Sequence, residues 1–301
     1  MRYIITALLA STTAAFADVP TVVTDIPPVH ALVAQVMGDL GTPTLLLAKG
    51  ADEHDFALRP SQAGQVTDAG LVVWIGHELT PWLEGALENR PSGSAALGLL
   101  DAPGTLTQPF PEEAEHETEG DGHQHGTTDP HAWLNPDNAK LWLPMIATEL
   151  STLDPANAAI YAANAAAYKT RIKDTIAPLR AAILALPENR RWLATCEGAF
   201  SYLARDFQMK ELYLWPINAD ATGTPQQVRR VIDAMRANAI PAIFCESTVN
   251  QAPAEQVARE VGAAYGGVLY VDSLTEADGP VPTYLDLLRV TAQTIVTGLS
   301  E

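Results

Sequence analysis

The residues best equipped for chemistry are histidines and carboxylates gathered in four short segments of a 301-residue chain. They are Gly50-Ala51-Asp52-Glu53-His54-Asp55-Phe56, Asp129-Pro130-His131, Cys196-Glu197-Gly198 and Val271-Asp272-Ser273. Imidazole nitrogen and carboxylate oxygen are the donors that divalent first-row metals accept. A fifth stretch, Pro111 to Thr128, reads PEEAEHETEGDGHQHGTT and runs straight into Asp129. With no large apolar residue it cannot build a core, so it reads as a solvated loop. Its His116, His123 and His125 are candidates for weak, exchangeable metal contacts.

These groups need elements to position them. Short β-branched or apolar runs alternate with helical patterns, which predicts a mainly parallel α/β architecture. The predicted strands are Thr21–Thr24, Thr44–Leu47, Leu71–Ile75, Trp192–Cys196, Glu211–Trp215, Ala242–Cys245 and Val268–Val271. The predicted helices include Val29–Leu40, Gln62–Asp68, Pro81–Asn89, Asp137–Leu150, Pro225–Ala237, Pro253–Val261 and Tyr284–Leu299. In open parallel sheets ligands bind beyond the carboxyl ends of the strands. The candidate segments occupy such places, two in each half of the chain.

Between the halves, Tyr161, Ala165, Tyr168, Ile172, Ile176, Leu179 and Ile183 recur every three or four positions. Asp154-Pro155 reads as a helix start, while Pro178 and Pro187 would kink and then end it. The expected organisation is a signal peptide over 1–17, an N-terminal α/β domain over 18–153 carrying the acidic loop 111–128, a linking helix over 154–187, and a C-terminal α/β domain over 188–301. The signal reading rests on Arg2, the apolar run Tyr3–Ala10 and the small-x-small pattern Ala15-Phe16-Ala17.

Eighteen Lys and Arg stand against 36 acids, a formal charge of −18, which argues against a nucleic-acid partner and suits a cation ligand. Cys196 and Cys245 allow one disulfide in an oxidising compartment or a free buried pair.

GADEHDFALRPS at 50–61, followed by the strand-like run Ala69–Gly76, resembles the first metal-ligand segment of the zinc-uptake (ZnuA-like) solute-binding proteins of ABC transporters, the cluster A-I family. DPHAWLNP at 129–136 resembles its second segment, and EGAFSYL at 197–203 and Asp272-Ser273-Leu274 its third and fourth. The resemblance spans the mature chain. It implies two α/β domains joined by a single long helix, with one metal in the interdomain cleft held by His54, His131, Glu197 and Asp272. Two imidazoles and two carboxylates would leave a bound dication formally neutral, and a neutral site costs less to bury.

The third position departs from the zinc pattern, which has histidine where this chain has Glu197. Glu197-Gly198-Ala199-Phe200 is similar to manganese- or iron-type members, and Leu212–Asn218 resembles the manganese type. Zinc remains the expected ion, because the Irving–Williams order ranks it above manganese at such a donor set. Mn2+ or Fe2+ is the alternative. Glu53 is a possible accessory ligand, and Glu246, at a strand end, a possible partner for a ligand histidine's second nitrogen. His30 and His77 read as structural.

The implied role is a soluble, monomeric, periplasmic receptor that hands metal to an ABC permease and receives it from a metal donor protein. An exported zinc hydrolase would need three ligands plus a water, and no H-E-x-x-H helix is present. A buffer or adhesin using the histidine tract as its main site is the other rival. Deletion of residues 112–127 separates the two. A receptor retains one tight site with affinity within a few-fold of the parent, whereas a buffer loses nearly all binding in a stoichiometric titration.

Overall fold

The computed structural model describes residues 19–51, 56–109, 128–216 and 224–300. The first half contains strands β1 (Val22–Thr24), β2 (Thr44–Leu45), β3 (Leu71–Trp74) and β4 (Ala95–Gly98), all parallel, in the order β2-β1-β3-β4. Helices α1 (Pro27–Met37), α2 (Pro60–Asp68) and α3 (Glu84–Glu88) make the crossovers. Prolines at the first turns of α1 and α2 supply the fixed φ that starts a helix without losing a needed N–H. Thr44–Leu47 was expected to be one strand, and its second half keeps the pairing: Leu46 and Leu47 N donate to Thr24 and Asp25 O at 2.9 Å each.

Helix α4 (Pro136–Leu153) is capped by Asn135, whose Oδ1 accepts from Asp137 N at 2.7 Å. The long helix α5 covers Ala158–Leu184 and continues through Pro178. Its start lies later than Asp154-Pro155, because a 3-10 turn over Pro155–Asn157 intervenes. Asp154 instead accepts from Asn157 Nδ2 at 2.6 Å and from Tyr161 Oη at 2.9 Å. Six of the seven periodic residues are buried, and Leu179 is partly buried.

The second half runs β5 (Trp192–Glu197), α6 (Ser201–Asp206), β6 (Lys210–Trp215), α7 (Pro225–Asn238), β7 (Ala242–Glu246), α8 (Ala252–Val261), β8 (Ala264–Leu269) and α9 (Tyr284–Ser300). β5 pairs with β6 and β7 with β8, both parallel, and β5 lies beside β7. A Cys196–Cys245 disulfide joins β5 to β7, deciding between the two readings of the cysteines. Closing a 49-residue separation this way is worth about 4 kcal/mol in the chain-entropy view.

β8 begins four residues before the expected Val268. Gly266 and Gly267 hid it, yet Gly266 is required: an added Cβ would stand 2.2 Å from the Phe244 ring. Helix α5 packs on α4, α1 and α9, and one continuous apolar core runs through residues of both halves, including Trp133, Tyr161, Phe200 and Tyr284. The long helix is therefore a core element.

Asp25 ties the ends of β1 and β3 together. Its Oδ1 accepts from Ile26 N at 2.8 Å, and its Oδ2 from Ile75 N at 2.7 Å and Thr80 Oγ1 at 3.1 Å. Burial raises its pKa from 3.8 to about 6, against the lowering effect of those donors. The folded state thus holds this proton more tightly than the unfolded chain. The stability linked to it is present below pH 3.8 and lost as pH rises through about 6. In chemical denaturation, Asp25→Asn should gain on the parent between about pH 4 and 6 and track it in parallel above that. A gap that does not change with pH would contradict the assignment.

Candidate metal centre

His131 occupies the turn that leads into α4. Asp129 N donates to Gln108 O at 2.9 Å, and the following 3-10 turn, Ala132–Leu134, buries Trp133 and Leu134 completely. Asn138 locks the segment by donating to Leu106 O and Ala132 O. The imidazole is 2 % exposed, and its Nδ1 lies 2.7 Å from Asp129 Oδ1. Nε2 is the ring atom left to meet a ligand.

Glu197 ends β5 and is 1 % exposed. Its backbone N donates to both carboxylate oxygens of Glu246, at 3.3 Å each. Gly198 makes the tight approach that follows, since a Cβ there would meet the Tyr213 ring at 3.1 Å and Pro216 O at 3.2 Å. Glu211 holds the same turn from β6, accepting from Phe200 N at 3.1 Å and Ser201 Oγ at 2.8 Å.

Asp272 follows β8. Thr291 fixes its approach by exchanging hydrogen bonds with Tyr270 N and O at 3.0 Å. The carboxylate is 4 % exposed, and its Oδ1 is buried with no hydrogen-bond partner. An unsatisfied buried carboxylate oxygen is costly and calls for a cation or a donor.

These segments are wired together. Trp133 Nε1 donates to Val271 O at 2.7 Å, Tyr284 Oη to Trp133 O at 2.6 Å, and Tyr202 Oη to Asp129 O at 2.7 Å. Lys49, just ahead of the His54 segment, donates to Thr275 O at 3.0 Å. His54 and Glu53 lie outside the described residues, as do His116, His123 and His125. His30 meets Pro43 O through Nε2, and exposed His77 pairs with Glu84.

Among the described residues, the ligand atoms of His131, Glu197 and Asp272 do not all come within 4.8 Å of one another. The trio that does is Cys196, Cys245 and Glu246, but its sulfurs are joined as a disulfide and offer no thiolate. Among the described residues, Glu246 is not the acid that meets His131. Glu246 takes the Glu197 N–H, and the acid on His131 is Asp129, two residues upstream in the same turn and overlooked in the sequence. Burial pushes the Glu246 pKa up to about 8, helped by the charges of Asp272 and Glu211. Burial likewise raises Glu211 to about 7, with the Asp129 charge adding to it.

The family model described as zinc-uptake complex component A, periplasmic, matches residues 22–298. The chain belongs to this family. It is similar to the iron-binding protein YfeA of Yersinia pestis, 41% identical over 283 residues, covering 93% of this chain and 86% of that protein. It is 35% identical over 254 residues to the high-affinity zinc uptake system protein ZnuA of Paracoccus denitrificans, covering 77% of each. A manganese-bound periplasmic metal binding protein from Candidatus Liberibacter asiaticus superposes with a TM-score of 0.81 at 36% identity, over 93% of this chain and 99% of that one. As a family member the chain is a periplasmic metal-binding component of an ABC transporter, working with a membrane permease and its ATPase rather than as an enzyme. No helix among the described residues is long and apolar enough to cross a membrane.

Because Trp133 sets the register between the His131 and Asp272 segments, Trp133→Phe should cost the metal-free protein about 2 kcal/mol and weaken metal binding as well. Thermal melting and metal titration check this. Unchanged affinity in a destabilised variant would mean that the two segments are positioned independently.

Proposed function

We propose that this chain captures one divalent first-row metal ion through His54, His131, Glu197 and Asp272 and delivers it to its permease. The observation that carries this reading is the burial of His131, Glu197 and Asp272 together, with Asp272 Oδ1 lacking any partner. Two carboxylate charges cancel those of the dication, and neutral imidazoles complete the set. With bonds of about 2.0–2.2 Å, the ligand atoms must draw closer around the ion than they stand now.

Of zinc, iron and manganese, zinc is the ion this donor set holds most tightly at equilibrium, since the Irving–Williams order places it above the other two. The zinc name of the Paracoccus relative supports that reading. Uptake of manganese or iron is the second reading. It is favoured by Glu197 in place of histidine, by the iron-binding name of the Yersinia relative, and by the manganese in the Liberibacter structure. A carboxylate is a harder donor than imidazole and can bind through one oxygen or two, which suits manganese. The histidine tract is proposed to raise local metal concentration or to receive metal from a donor protein, with Glu53 at most an accessory ligand. The receptor acts as a soluble monomer and without nucleic acid.

Single alanine substitutions at His54, His131, Glu197 and Asp272 should each weaken metal binding and shrink the metal-induced rise in melting temperature. Paired zinc and manganese competition on the parent and Glu197→His should show zinc bound more tightly by the parent and manganese weakened much more by the change. All four alanine variants binding like the parent would place the site elsewhere. A parent preference for manganese would establish the second reading.

A further inference from the structure

We infer that Asp129 is a positioning residue for metal capture, holding His131 in the tautomer that leaves Nε2 bare. This rests on His131 being a ligand, as proposed above. Neutral imidazole has one ring proton for two nitrogens, so the tautomer decides which nitrogen can bind a metal. Asp129 Oδ1 lies 3.0 Å from His131 N and 2.7 Å from His131 Nδ1. His131 N–H and Nδ1 converge on this one oxygen, so Oδ1 is the acceptor, Nδ1 carries the proton and Nε2 keeps its lone pair.

Asp129 is itself fixed. It is completely buried, its N donates to Gln108 O, and its carbonyl accepts from Tyr202 Oη, which in turn accepts from Gln108 N at 2.9 Å. The Trp133 ring, with its centroid 5.2 Å from that of His131, limits rotation of the imidazole. Asp129 Oδ2 is buried without a partner, and no described Lys or Arg pairs with Asp129. The carboxylate thus stands behind the ring, where it strengthens Nε2 as a donor. Carboxylates in that position typically contribute roughly 10–100-fold to metal affinity.

Nitrogen-15 NMR of the metal-free parent at about pH 8, above the ordinary imidazole range, reads the His131 tautomer directly. Nδ1–H with a bare Nε2 is expected, and Nε2–H would overturn the inference even if every variant failed to fold. Zinc competition titrations then compare the parent with Asp129→Asn, Asp129→Ala and His131→Ala, each checked by thermal melting. Asp129→Asn should bind roughly 10–100-fold more weakly, and Asp129→Ala at least as weakly, with its ring shifted toward Nε2–H. Both Asp129 variants staying within about threefold of the parent, while His131→Ala loses the tight site, would also overturn the role. If His131→Ala binds like the parent, the ligand assignment fails instead, and the NMR result tells the two failures apart.

Discussion

Negative charge buried away from water is the constraint around which this protein is organised. Asp129, Glu197, Glu246 and Asp272 are each 4 % exposed or less, and no described Lys or Arg is ion-paired with Asp129, Glu246 or Asp272. Burying an uncompensated carboxylate costs far more than a typical hydrogen bond returns. The chain answers in three ways: Glu246 takes the Glu197 N–H and a raised pKa, Asp129 takes His131, and one Asp272 oxygen is left without a partner. A divalent cation would relieve that last cost, so the same arrangement that weakens the metal-free state would favour capture.

Parallel strands bring the groups together. β5 runs parallel to β6 and β7 to β8, and Glu197, Glu246 and Asp272 emerge at or just past the carboxyl ends of β5, β7 and β8. The disulfide lies one residue before both Glu197 and Glu246 and fixes the two strands at the point where the acids meet. His131 comes from the other half of the chain, and Trp133 carries it to the Asp272 segment by bonding Val271 O. Tyr284 and Tyr202 anchor the same turn from α9 and α6. The core running through both halves lets these few hydrogen bonds set distances across the molecule.

Much of this was legible in the sequence because it depends on local pattern. The 3.6-residue spacing of Tyr161 through Ile183 gave the long helix, and apolar runs bounded by turn residues gave most strands. What could not be read depended on neighbours distant in the chain. β4 is Ala-rich and weak as a strand former, and it forms because β3 offers a free edge. β8 hides behind a glycine pair whose need is set by Phe244. That Glu246 accepts the Glu197 N–H follows from the adjacency of β5 and β7, which local pattern does not encode. The signal for Asp129 was present in Asp-Pro-His, since an acid two residues before a turn histidine can reach its ring.

The most direct test of metal capture by these residues is anomalous diffraction from crystals of the full chain loaded with zinc. One strong peak in contact with His131 Nε2, Glu197, Asp272 and His54 is predicted. A dominant peak among His116, His123 and His125, or one touching none of the buried acids, would contradict the account.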